Sequence, residues 1–121
     1  MTTVYRVDKF AVPDAAREEF WRQVRRTHAL LREQPGFLDD VLLEQRSGPG
    51  RFNVVTLVRW RSADDLAAAR PVVEASHRAA GFSPADFLAR AGVEADVADY
   101  VEAGTPTTAT ATATGPAAPS T

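Results

Sequence analysis

The chain has 121 residues, 45% of them hydrophobic and 25% charged, which is typical of a single soluble domain of ordinary size. It contains no cysteine, which excludes disulfides, thiolate nucleophiles, zinc fingers and iron–sulfur ligation. The net charge of −2 disfavours nucleic acid or an acidic membrane surface as partner, and no apolar run is long enough for a membrane span or fits a signal peptide, so we expect a cytoplasmic protein.

The first third of the chain predicts a strand followed by a helix. Residues 3–12 alternate loosely and are rich in β-branched side chains, which favours a strand. Asp14 is the expected N-cap of the helix that follows. Pro35 and Gly36 then end this helix, because proline and glycine both interrupt helical structure.

A hairpin, two helical segments and a last strand follow. Residues 37–46 and 51–60 are predicted strands, joined by a turn rich in glycine and proline. Ser62, followed three residues later by an acidic residue, indicates the start of a second helix. A shorter helical piece begins at Ser83, and residues 93–102 form the fourth strand.

This order of elements predicts the fold class and the extent of the domain. It is strand–helix–strand–strand–helix–strand, an α+β, ferredoxin-like βαββαβ unit over residues 1–103. Residues 104–121 consist only of Thr, Ala, Pro, Gly and Ser. Such a segment cannot bury enough apolar surface to offset its ordering entropy, so we expect a disordered tail that is dispensable for folding.

The third strand predicts a homodimer. Its run of hydrophobic residues, 54–58, places apolar side chains on both faces, whereas two helices can cover only one face of a four-stranded sheet. We expect a second copy of the chain to cover the other face. Val55 and Leu57 lie on that face, together with Tyr5 and Val7 of the first strand.

The helix-facing side of the sheet is the predicted place of a pocket. Alternation puts Arg6, Asp8 and Phe10 on one face of the first strand and Thr56 and Trp60 on one face of the third. Asp8 is unusual there, because strand interiors disfavour Asp and a buried carboxylate is costly unless it is paired. The alternatives are purely structural roles: an ion pair with Arg6 for Asp8, and a place in the hydrophobic core for Trp60.

The first helix is expected to close this pocket. Phe20, Val24 and His28 recur on one side of it at helical spacing, and His77 lies on the second helix. His28 fits a hydrogen-bonded core residue equally well, and His77 an exposed one. Two isolated histidines do not predict a metal site.

Several segments together resemble the antibiotic biosynthesis monooxygenase family. The resemblance covers about residues 4–102 and implies a dimeric α+β barrel with a pocket between each sheet and its helices. It rests on Val7 to Val12 with Pro13, on Gln34-Pro35-Gly36-Phe37-Leu38 after the Phe20 helix, on Val54-Val55 leading to Trp60, and on Asp64-Asp65-Leu66 with Pro71 and His77 beyond.

One branch of the family implies a cofactor-independent oxidation. Its members convert anthrones and related phenolic polyketides to quinones with O2, and the tryptophan that ends their third strand matches Trp60. Two pocket asparagines of that branch fall on Asp8 and Thr56. The resemblance therefore implies catalytic roles for Trp60, Asp8 and Thr56. An aromatic substrate would be bound by Arg6, Phe10, Phe20, Val24, His28 and His77.

Other relatives imply different chemistry on the same pocket. Haem-degrading monooxygenases use an Asn, a Trp and an iron-ligating His, which fall here on Asp8, Trp60 and His77. A reduced flavin also stays open as cofactor. The remaining alternatives are a polyketide cyclase or isomerase with Asp8 as general base, and a non-catalytic ligand-binding homologue.

Overall fold

Four strands and three helices make up residues 2–104, the part of the chain that the computed structural model describes. The predicted tail, 104–121, lies outside the described residues apart from Gly104. The strands are β1 (Val4–Ala11), β2 (Phe37–Glu44), β3 (Val54–Trp60) and β4 (Glu94–Tyr100). The helices are α1 (Arg17–Leu31), α2 (Ala63–Ala79) and α3 (Pro84–Ala91), with a short 3-10 turn, Asp14–Ala16, before α1.

The strands form one antiparallel sheet in the order β2-β3-β1-β4. The two central strands are thus the first and third in sequence, the arrangement of a split βαβ unit. The α+β, ferredoxin-like prediction is confirmed. None of the helices within residues 2–104 is long and apolar enough to cross a bilayer.

The helix boundaries follow local capping chemistry. The Ser62 hydroxyl accepts a hydrogen bond from the Asp65 backbone N–H at 3.2 Å, so α2 begins where the sequence indicates. The prediction that Asp14 caps the first helix is wrong. Asp14 is instead the first residue of the 3-10 turn, and the residue that precedes α1 is Ala16. The main helix consequently begins only at Arg17.

A tight turn connects α1 to the sheet at Gly36. Its φ of +86° lies in the left-handed region, which favours glycine. A Cβ there would lie 2.3 Å from the Asp65 side chain. The Gly36 carbonyl also accepts a hydrogen bond from the Arg61 N–H at 2.8 Å, which fixes the start of β2 beside the end of β3.

Two apolar clusters join the helices to one face of the sheet. One contains Val58 and Trp60 of β3 packed against Leu66 of α2. The other contains Phe20 of α1 and Phe87 of α3 packed around Val54. All three helices therefore contribute side chains to the same side of the sheet.

The opposite face of the sheet, here called the open face, carries apolar side chains without a helix over them. Leu57 on β3 lies in register between Val7 of β1 and Val41 of β2, and Leu43 lies beside Val55. Val41 and Leu43 are 44% and 49% exposed. Such a contiguous exposed apolar surface is typical of an interaction site.

Candidate functional site

A cleft separates the helix-facing side of the sheet from the helices. It has two adjoining chambers, of about 420 Å³ and about 290 Å³. Volumes of this size suit a small organic ligand. The side chains that line both chambers come from β1, from both long helices and from the start of α3: Arg6, Asp8, Thr27, His28, Val73, His77 and Pro84.

Most of the side chains that the sequence predicts for a site lie around this cleft. Phe10, Phe20 and Val24 line the larger chamber, and Trp60 lines the smaller one. Asp8 touches both, together with the predicted binding residues Arg6, His28 and His77. The polar groups are therefore concentrated where the chambers meet.

Thr56 is the one predicted catalytic residue that does not line the cleft. It lies in register with Asp8 and on the helix-facing side, but it is only 3% exposed and lines neither chamber. Strand alternation decides the side of the sheet on which a residue lies, but not whether it reaches a cavity there. Thr56 is therefore not among the residues on the surface of the cleft.

Asp8 carries the acidic group at the junction of the chambers. Its Oδ1 accepts a hydrogen bond from Arg6 Nε at 2.7 Å, and Arg6 also reaches Asp99 at 3.3 Å. Burial raises the pKa of Asp8, and although Arg6 opposes this effect, the pKa stays above its usual range. A carboxylate of raised basicity beside an apolar chamber is suited to accept a proton.

His28 forms a second polar group with a partner on the sheet. The ring is 5% exposed, and its Nδ1 lies 2.8 Å from Asp40 Oδ2 on β2. Arg32 donates to the same oxygen at 2.9 Å. Burial alone would raise the pKa of Asp40, but the hydrogen bonds from His28 and Arg32 hold it below its usual range.

His77 faces the cleft from α2. Its Nε2 lies 3.2 Å from the Thr27 hydroxyl, and its ring packs edge-on against Phe82 at 5.4 Å between centroids. Burial lowers the pKa of His77, because the charged imidazolium loses solvation there. This favours the neutral ring.

Trp60 belongs to the core as much as to the cleft. It is 1% exposed and packs edge-to-face against Phe37, with 5.9 Å between ring centroids. It also belongs to the cluster that joins α2 to the sheet. One part of the residue lines the smaller chamber, so it can shape a ligand site while it stabilises the fold.

Two partners of the histidines and the contribution of α3 were not predicted from the sequence. Asp40 holds His28, and Thr27 contacts His77. Phe82 and Phe87 supply aromatic lining near and on α3. The sequence does contain a signal for Asp40. Strand interiors disfavour Asp, so Asp40 at a helix-facing strand position is as unusual as Asp8.

Metal ligands are sparse in the part of the chain that the structure describes. No group of three or more His, Asp or Glu side chains in residues 2–104 is arranged to hold a metal ion. His77 is the side chain that would ligate a haem iron if the family pattern applied. Its Nε2 lies 3.2 Å from the Thr27 hydroxyl, and Asp8, paired with Arg6, lies across the cleft. A haem iron would have to displace Thr27 from this nitrogen.

A comparison with models of protein families shows to which family the chain belongs. The model of the antibiotic biosynthesis monooxygenase family matches residues 3–80, which include β1, α1, the hairpin and α2. The chain belongs to this family. No curated protein matches it in sequence.

Solved structures show that this family member shares its fold with several proteins. SnoaB, a cofactor-independent oxygenase from Streptomyces nogalater, has a TM-score of 0.56 and 24% identity over 87% of this chain and 97% of its own. MhuD, a haem degrader from Mycobacterium tuberculosis with two haems in its active site, has a TM-score of 0.59 and 23% identity over 84% and 97%. A dimeric ferredoxin-like protein from an uncultured marine organism has a TM-score of 0.61 and 12% identity over 87% and 99%. At these identities the likeness concerns the fold.

Proposed function

We propose that this antibiotic biosynthesis monooxygenase family member is a cofactor-independent oxygenase that converts a phenolic, anthrone-type aromatic polyketide to a quinone. The observation that carries the proposal is the apolar cleft with Asp8, a carboxylate of raised pKa, at the junction of its chambers. Aromatic walls suit a flat ring system, and the carboxylate suits its acidic hydroxyl.

Asp8 is the proposed general base. The O–H bond of the substrate breaks, the proton passes to the Asp8 carboxylate, and an electron-rich phenolate is left. The negative charge thereby moves from the Asp8 carboxylate to the phenolic oxygen of the substrate. Arg6 Nε lies 2.7 Å from Asp8 Oδ1, so the guanidinium can stabilise the charge on either oxygen.

The phenolate then supplies the electrons that reduce O2. In the net reaction a ring CH2 and O2 give C=O and H2O, so the substrate is the reductant and no further co-reactant is needed. The chain's part is to bind the ring between Phe10, Phe20 and Val24 and to hold the proton. Trp60 lines the smaller chamber.

Oxygen uptake with dithranol, an anthrone-type phenol, tests this proposal. The purified protein with chelator, and without added flavin, haem or metal, should consume O2 and form quinone faster than the heat-denatured protein. Conversion of the phenol without O2 consumption would instead favour a cyclase or isomerase. No conversion would favour a binding protein and contradict the oxygenase.

The cleft also allows a direct test against haem degradation. Haemin should bind weakly, and its Soret band should be the same in the wild type and in His77→Ala, because His77 Nε2 is engaged by Thr27. The measurement is a spectrophotometric haemin titration of both proteins. A sharpened Soret band that disappears with His77→Ala would contradict the proposal and favour haem as the ligand.

We further propose that the chain is a homodimer joined through the open face. Its apolar residues form a continuous patch, and a stable interface that covers it should bury more than about 1,000 Å² in total. A face-to-face pairing of two such sheets would remove this patch from water.

Leu57→Glu should convert the dimer to a monomer, because Leu57 lies at the centre of the open face, between Val7 and Val41. Sedimentation at micromolar concentration measures this. Val72→Glu, on the outer side of α2 and 42% exposed, is the control that should stay dimeric. A monomeric wild-type protein would contradict the dimer.

A further inference from the structure

The pairing of His28 with Asp40 has no role in the proton transfer proposed above. The imidazole is almost fully buried, yet it lines both chambers of the cleft. Its Nδ1 is 2.8 Å from Asp40 Oδ2, and Arg32 holds the same carboxylate at 2.9 Å. The exposed Arg32 thus anchors the Asp40 carboxylate, while the His28 ring lines the cleft.

The partner on Nδ1 determines what the other nitrogen can do. The Asp40 carboxylate is ionised and can only accept hydrogen bonds, so Nδ1 is the nitrogen that carries the proton. In a neutral ring Nε2 is then a hydrogen-bond acceptor. The orientation of the ring is fixed by the hydrogen bond on its opposite side.

Nε2 is also accessible. Among residues 2–104 it has no hydrogen-bond partner, while no buried side-chain nitrogen or oxygen in that part of the chain is left unpartnered. An unpartnered atom that is not sealed in the interior has some accessible surface, and the cavity that the His28 ring lines is the cleft.

A ligand that fills the cleft displaces water from this nitrogen. If the ligand is apolar at that point, the acceptor loses its hydrogen bond and binding is weakened. If the ligand has a hydroxyl there, the bond is replaced. Asp8 and His28 line the same chambers, so one ring system can meet both.

We infer that His28 is a specificity-determining residue that accepts a hydrogen bond at Nε2 from a second hydroxyl of the bound aromatic, and that Asp40 is its positioning residue. The inference rests on the proposed function and narrows it. The substrate class is a polyhydroxylated aromatic, with one hydroxyl for Asp8 and another for His28.

Dihydroxyanthraquinones that differ in the separation of their hydroxyls are suitable probes, because they are already oxidised and report binding alone. Each is compared with a monohydroxyanthraquinone by calorimetric or fluorescence titration. At least one dihydroxy compound should bind the wild type about 3- to 10-fold more tightly than the monohydroxy compound, the usual value of one hydrogen bond.

His28→Phe should abolish this preference while the monohydroxy compound still binds. Asp40→Asn should reduce it, because an amide can also donate to Nδ1 and so allow the other tautomer. Asp39→Asn is the matched control for Asp40→Asn, since it makes the same change at the neighbouring strand position on the open face, where Asp39 pairs with Arg59 outside the cleft. The preference should persist in that variant.

Nitrogen NMR of the unliganded protein in mildly alkaline buffer gives a second, substrate-free measurement. In the neutral form of the His28 ring, Nδ1 should carry the proton and Nε2 should be bare, because Nδ1 faces the Asp40 carboxylate. The opposite tautomer, or a preference for dihydroxy compounds that is equal in the wild type and in His28→Phe, would overturn the inference and leave the proposed function standing. If none of the anthraquinones binds, the inference is wrong, and O2 uptake with dithranol tests the proposed function independently.

Discussion

Replacing Asp8 by asparagine should lower the rate of cofactor-free O2 uptake about 100-fold or more, the usual value of a positioned general base. Asparagine has nearly the same shape and can still contact Arg6 through its amide oxygen, so the cleft should keep its form. It cannot accept the phenolic proton at neutral pH. Oxygen-electrode measurements with dithranol, at saturating and limiting concentrations, separate this loss from a loss of binding.

The pH dependence of the rate gives an independent signature of Asp8. A base works only when deprotonated, so the wild-type rate should rise with pH through the pKa of Asp8, which burial raises above the ordinary range of Asp. Above that pKa the rate should level off. The Asp8→Asn variant should lack this acidic limb.

Asp39→Asn is the control for this experiment. Asp39 is an exposed strand residue on the open face, where it pairs with Arg59, and its removal should leave the rate nearly unchanged. An unchanged rate in Asp8→Asn would show that Asp8 is structural. A faster Asn variant would show that the reaction needs an amide donor at this position.

The second large effect is expected on stability. Trp60→Ala should lower the free energy of unfolding by about 3–5 kcal/mol, because it leaves a large void in the core cluster that joins α2 to the sheet. Chemical denaturation measures this. Trp21→Ala, a half-buried tryptophan nearer the surface, should cost distinctly less.

Trp60→Phe separates packing from catalysis. It keeps an aromatic ring against Phe37 and should retain most of the stability. It should slow O2 uptake only several-fold, by altering the wall of the smaller chamber. A loss of rate as large as that of Asp8→Asn, in a stably folded protein, would instead assign Trp60 a direct part in the reaction.

Local patterns in the amino-acid sequence are enough to predict the order of the elements and the two sides of the sheet. Hydrophobic periodicity and the serines at 62 and 83 identify the helices, and alternation along β1 assigns Asp8 to the helix-facing side. These features are local. They depend on backbone geometry within a few residues, which is why they can be derived without the fold.

The depth of each side chain, and the contacts between residues distant in sequence, depend instead on how the elements pack together. Thr56 and Asp8 are in register, yet only Asp8 lines the cleft. Trp60 is a core residue that also lines the smaller chamber. The contact between His28 and Asp40 joins α1 to β2 across the turn at Gly36. Such contacts depend on the angle at which a helix crosses the sheet and on close packing among several elements, and no periodic pattern within one element contains that information.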